Sequence, residues 1–166
     1  MRGFVRLPLG TVTLSLHLLV PVVAAGLWLV RPDLGLGYLL LLGSVLAHEG
    51  GHVAASLLLG GRTAEIRIWP IFALAKVPRI SGRRQALVAL AGPLANLLVA
   101  GLCYVLVRPQ SLQLSAAEPG SFLVTVNLVF ALGNLIPIPP LDGGRVLLVL
   151  AGRDAAPPAE TAGQGE

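Results

Sequence analysis

Charge is what this sequence has least of. Only 12% of its 166 residues are Asp, Glu, Lys or Arg, against 55% hydrophobic. Soluble domains carry about 25% charged residues, and the mean hydropathy of +0.81 excludes an ordinary water-soluble fold. The composition points to an integral membrane protein. Cysteine is nearly absent too: Cys103 stands alone, so no internal disulfide can form, and its apolar neighbours suit a packed, inert thiol. Lysine is reduced to Lys76 among 12 basic residues, which reads as genomic bias rather than chemistry. No polar linker divides the chain, so a single membrane domain over 1–152 is expected. The remainder, 153–166 (RDAAPPAETAGQGE), has nothing to bury and is expected to be a disordered polar tail.

Long apolar runs are what the sequence has in their place, at 11–30, 34–59, 85–107 and 121–136, with a shorter one at 146–151. A helical span needs about 20 residues. The first three runs qualify and the last two read as one interrupted span. The expected fold is an all-α integral membrane protein, a four-span helical bundle with a broken fourth helix. AEIRIW at 64–69 alternates like a strand, which allows a short β-hairpin in the 60–84 loop. A net charge of +4 could suit nucleic acid, but its distribution suits a lipid bilayer, and no nucleic-acid partner is expected. Arg2 and Arg6 precede the first run; Arg62, Arg67, Lys76, Arg79, Arg83 and Arg84 lie between the second and third; Arg145 and Arg153 close the chain. The other two connections hold only Arg31 and Arg108. The positive-inside rule then puts both termini and the 60–84 loop in the cytoplasm. The N-terminal segment has the basic-then-apolar order of a signal peptide, but its apolar run continues through LWLV, which favours an uncleaved anchor.

Against that background the segment HEGGH at 48–52 is out of place. Ionisable groups inside a membrane are costly and mark function by default. Residues four apart share a helix face, so His48 and His52 can grip one metal ion with Glu49 within reach of a bound water. A catalytic zinc needs a third protein ligand and an open position. Asp142, in NLIPIPPLDGGR at 134–145, is the only carboxylate after Glu118 still set among apolar residues. Pro137, Pro139 and Pro140 must break the helix ahead of it, and Gly143 and Gly144 allow a tight turn. The plain alternative is that Asp142 only caps the next helix. At about 1.5 Å per residue, His48 and His52, Asp142, and the AGPLAN stretch with Gly92 and Asn96 all reach one layer, roughly 10 to 17 Å from the cytoplasmic ends of their spans. Asn96 and Asn134 are candidates for that site or for helix–helix bonds. Asn127 reads as packing glue, and His17 as satisfied by a neighbour.

HEGGH at 48–52, GPLAN at 92–96 and NLIPIPPLDGG at 134–144, in that order, resemble the site-2 protease family of intramembrane zinc metalloproteases, here in a minimal form without PDZ or CBS domains. The resemblance covers 34–152 and rests on the joint occurrence of the motifs. It implies His48, His52 and Asp142 as ligands of one zinc ion, Glu49 as the catalytic acid/base, and Asn96 and Asn134 as helpers near the scissile carbonyl. The implied substrate is a membrane-anchored protein cut within or near its transmembrane segment, and the expected location is a prokaryotic cell membrane. The chain departs from the pattern at IRIWPIFALAKVPR, where many relatives carry a Gly-containing turn. The competing readings are a zinc transporter or sensor built on the same ligands, and an inactive relative. Glu49 separates hydrolase from carrier, since only a hydrolase needs a carboxylate that does not bind the metal.

Overall fold

The computed structural model describes residues 3–62, 64–78, 80 and 82–153; the expected disordered tail, after Arg153, lies outside them. The elements in chain order are β1 (Phe4–Leu9), β2 (Val12–His17), α1 (Leu19–Val30), α2 (Pro32–Leu58), β3 (Ala64–Ile68), β4 (Ala73–Lys76), α3 (Arg83–Val107), α4 (Pro119–Asn134) and α5 (Asp142–Leu150).

α3 packs on α2, α4 and α5, and α1 packs on α2. Pro32 opens α2 at its first turn, where its missing N–H costs nothing. Gly51 lets α2 and α3 approach closely, because a Cβ there would strike the Ala91 carbonyl. Pro119 opens α4 in the same way. The chain leaves helical geometry after Asn134, and Asp142 begins α5. Gly143 and Gly144 are required there, because a Cβ on either would collide with the backbone of Leu135–Pro139, which folds back over the first turn of α5.

The four strands form one sheet in the order β1-β2-β3-β4. β1 and β2 pair antiparallel through the two-residue turn Gly10–Thr11, with Gly10 at φ 64, the left-handed conformation such turns ask of glycine. β2 pairs parallel with β3, and β3 antiparallel with β4. Strand alternation sorts the side chains. Val12, Leu14 and Leu16 align with Ala64, Ile66 and Ile68 and then with Ala75 and Ala73. This face packs on Val20, Leu42, Leu46, Val53 and Leu57 of α1 and α2. The opposite face carries Arg6, Thr13, Ser15, Glu65, Arg67 and Lys76.

This sheet overturns the expectation of an all-α four-span bundle. Among the described residues only α2 and α3 are long and apolar enough to cross a membrane. The run at 11–30 divides into a strand and the 12-residue α1, about 18 Å long. The 16 residues of α4 give about 24 Å, short of a roughly 30 Å hydrocarbon core. The physical reason lies in period rather than composition: VTLSLH alternates polar and apolar residues strictly, the signature of a half-buried strand.

Candidate metal centre

His48 and His52 lie on successive turns of α2, and Asp142 enters from the first turn of α5. All three are buried, at 7%, 6% and 4% exposure, and a ligand atom from each lies within 4.8 Å of the others. The Nε2 atoms of the two histidines are 3.2 Å apart. Asp142 Oδ2 is 3.0 Å from His48 Nε2 and 3.3 Å from His52 Nε2. The N-cap of α5 is Leu141, so Asp142 stands one position inside the helix, with its carboxylate turned to the two histidines and, at 3.4 Å, to Arg145.

The outer nitrogens show what the cluster can hold. His52 Nδ1 sits 2.8 Å from the Val88 carbonyl, an obligatory acceptor, so Nδ1 carries the proton. His48 Nδ1 sits 2.6 Å from Asn96 Oδ1 and carries its proton for the same reason. In its neutral form each ring presents a bare Nε2 lone pair to the other and to a carboxylate oxygen. Three buried acceptors at 3.0–3.3 Å repel one another unless a cation lies between them. Tetrahedral zinc, with Zn–N near 2.0 Å, holds its ligands about 3.3 Å apart. The donor set and its spacing fit zinc.

GPLAN supplies the other wall. Gly92 is required because a Cβ would lie 2.5 Å from His52 Nε2 and 2.8 Å from His48 Nε2. Pro93 interrupts the hydrogen-bond ladder of α3, and five residues before it Val88 turns its carbonyl to His52. Asn96, at 0% exposure, sits behind His48. Its expected place beside a scissile carbonyl differs from this position, since both amide protons are already bonded, to Ser44 O and Asn127 Oδ1.

Glu49 is half-buried beside the cluster and accepts the Ala75 N–H of β4 at 2.5 Å. With the two histidines, Asn134, Asp142, Arg145 and residues of β4 and α3, it lines a cavity of about 150 Å³. Asn134 gives one amide proton to the Phe130 carbonyl at 2.9 Å while facing that cavity. His17 stands apart: it stacks on Trp69 at 5.2 Å and accepts the Leu19 N–H at 3.2 Å. Sequence reasoning missed Ser44, which bonds to both asparagines, and gave Asn127 only a packing role. The signal was available for Ser44, since it precedes His48 by one turn on the same face of α2.

A family model described as Peptidase M50B-like matches residues 18–152. The chain belongs to that family. As an M50B-like protein it resembles the solved structure of the Site-2 Protease from Methanocaldococcus jannaschii, with a TM-score of 0.66 and 25% identity, covering 92% of this chain and 74% of that one. It is 38% identical over 116 residues to a Synechocystis sp. protein provisionally named a zinc metalloprotease, covering 66% of this chain. To the zinc metalloprotease MJ0392 of Methanocaldococcus jannaschii it is 28% identical over 110 residues, again 66% of this chain. The matched regions cover only 29% and 32% of those two relatives.

Proposed function

We propose that this M50B-like protein is an intramembrane zinc metalloprotease that hydrolyses peptide bonds within or near the transmembrane segments of membrane-anchored proteins. The observation that carries this reading is the convergence of three buried lone pairs, from His48, His52 and Asp142, beside a carboxylate that is not one of them. A zinc ion held by these residues would polarise a peptide carbonyl and bring the pKa of a bound water to about 7. Glu49, lining the same cavity, would take a proton from the attacking water and return one to the leaving amine. For this, Glu49 must exchange its bond to the Ala75 N–H for one to water. Asn134 faces the same cavity and has an amide proton left to offer an oxyanion. The outer edge of β4, which has no further strand partner among the described residues, lies beside Glu49 and suits an unwound substrate strand. The arginine-rich 60–84 loop supports a cytoplasmic position for the sheet, and β1 and β2 share that sheet.

The carboxylate favours hydrolysis over transport. Glu49→Gln keeps the shape of the cavity but cannot take a proton. In cells carrying this variant, membrane-anchored substrates should accumulate uncut, and the purified variant should bind zinc as the parent does. Undiminished cleavage would remove Glu49 from the reaction. Loss of zinc would make it part of the metal's own shell.

A further inference from the structure

Behind His48 lies a group of polar side chains that the proposed chemistry does not use. Asn96 from α3, Asn127 from α4 and Ser44 from α2 have exposures of 0%, 0% and 2%. Asn96 Nδ2 donates to the Ser44 carbonyl at 3.0 Å and to Asn127 Oδ1 at 2.7 Å. Asn127 Nδ2 donates to Ser44 Oγ at 2.9 Å and to the Leu123 carbonyl at 2.9 Å. Ser44 Oγ donates to the Leu40 carbonyl at 2.9 Å. Every amide proton is placed, and the chain ends on three backbone carbonyls that cannot reverse their polarity.

We propose that Ser44 and Asn127 are positioning residues for the metal centre: through Asn96 they dictate which nitrogen of His48 carries the proton. The bonds read in one direction only. Turning the Asn96 amide over would set its oxygen against the Ser44 carbonyl and Asn127 Oδ1, placing three acceptors together. With the amide fixed, Asn96 Oδ1 faces His48 and accepts only from a protonated Nδ1. The other tautomer would oppose two lone pairs at this contact and aim a proton at His52 and Asp142, where a metal needs an open Nε2. Two asparagines serving only to join α3 to α4 would need no such direction, and no hydroxyl from α2. Outer partners of metal-bound histidines commonly fix tautomer and ring orientation, at 10- to 100-fold in metal affinity. Here the partner is itself held by a further layer drawn from two helices.

The inference rests on the metal reading above, and its test separates the two. Zinc affinity of the purified full-length protein is measured by competition with a chelator, beside the ¹⁵N signals of the His48 ring and the melting temperature of the metal-free protein. Asn127→Leu, which conserves size, should weaken zinc binding about tenfold and move the His48 signals from the Nδ1–H tautomer toward a mixture. Ser44→Val and Ser44→Thr add the same methyl, but only the threonine keeps an acceptor for Asn127. Valine should weaken zinc binding several-fold and threonine should restore it, whatever both do to the melting temperature. If Asn127→Leu does not fold, this pair decides. Zinc affinity and His48 signals unchanged in the valine variant overturn the proposal alone. A wild-type protein that takes up no zinc overturns the metal reading, and this proposal with it.

Discussion

The helical bundle and the sheet sort their side chains in opposite senses. The bundle turns polar groups inward, with Asn96, Asn127 and Ser44 bonded to one another behind the buried His48 and Asp142, and leaves Leu98, Leu102 and Leu106 exposed at 66%, 61% and 73%. The sheet buries Ala64, Ile66 and Ile68 and turns its charges outward. A bundle with exposed leucines is poorly suited to water. The bundle's arrangement suits a surrounding that is itself apolar. The two regions therefore fail differently: polar losses in the bundle should remove chemistry, and apolar losses in the sheet should remove stability.

The largest expected effect tests the first half of that contrast. Asp142→Ala deletes one of three converging donors and should lower zinc affinity more than about hundredfold, beyond the range for outer partners, while circular dichroism still reports the parental helix content. Zinc binding at parental strength would break the comparison at its centre. Ile68→Ala tests the other half. Ile68 is 2% exposed in the sheet core, so truncation should cost about 2 to 5 kcal/mol of stability yet leave zinc affinity within about twofold. A large loss of zinc with an unchanged melting temperature would show that the sheet serves the site rather than the fold. The smallest effect concerns the charged face. Arg67, with help from the Ser15 hydroxyl, holds the Glu65 carboxyl down to about 2 against an ordinary 4.5. A depressed carboxylate stabilises the fold fully above its unfolded value, and that contribution is lost as pH falls from about 4.5 through 2. Glu65→Gln should melt slightly below the parent at pH 7, by no more than about 1 kcal/mol for a partly exposed pair. The gap should begin to narrow near pH 4.5 and close as pH approaches about 2. A gap that widens in acid would place the stabilisation elsewhere.

The same contrast explains what could be read in advance. HEGGH, GPLAN and NLIPIPPLDGG were legible because their chemistry conflicts with their surroundings, and the structure brings His48, Glu49, His52, Asn134 and Asp142 around one cavity. The β3–β4 hairpin was legible in the alternation of AEIRIW, but β1 and β2 were not, because β2 lies inside an apolar run whose average looks like a span. Only its strict alternation, VTLSLH after the turn glycine at Gly10, betrayed a strand. The place of Asn96 behind His48 was hidden for another reason: depth along a helix can be counted from sequence, but which side of a histidine a neighbouring helix presents cannot. Asn127 was obscured by the same gap, since an amide among leucines signals only that it needs a partner, whereas Ser44 could have been found from its place one turn before His48.

The parallel pairing of β2 with β3 also sets an order of events during synthesis. Ser15 and Glu65, neighbours across that pairing, are 50 residues apart in the chain, with all of α1 and α2 between them. At roughly 5 to 20 residues per second, the β1–β2 hairpin waits about 3 to 10 s for the strand that covers its open edge. During that interval it presents an unpaired ladder and a row of leucines, a template for pairing with the wrong chain. Stable burial of β2 thus depends on α2 reaching its place first, so that a delay in settling this one helix would leave the newborn protein prone to aggregation.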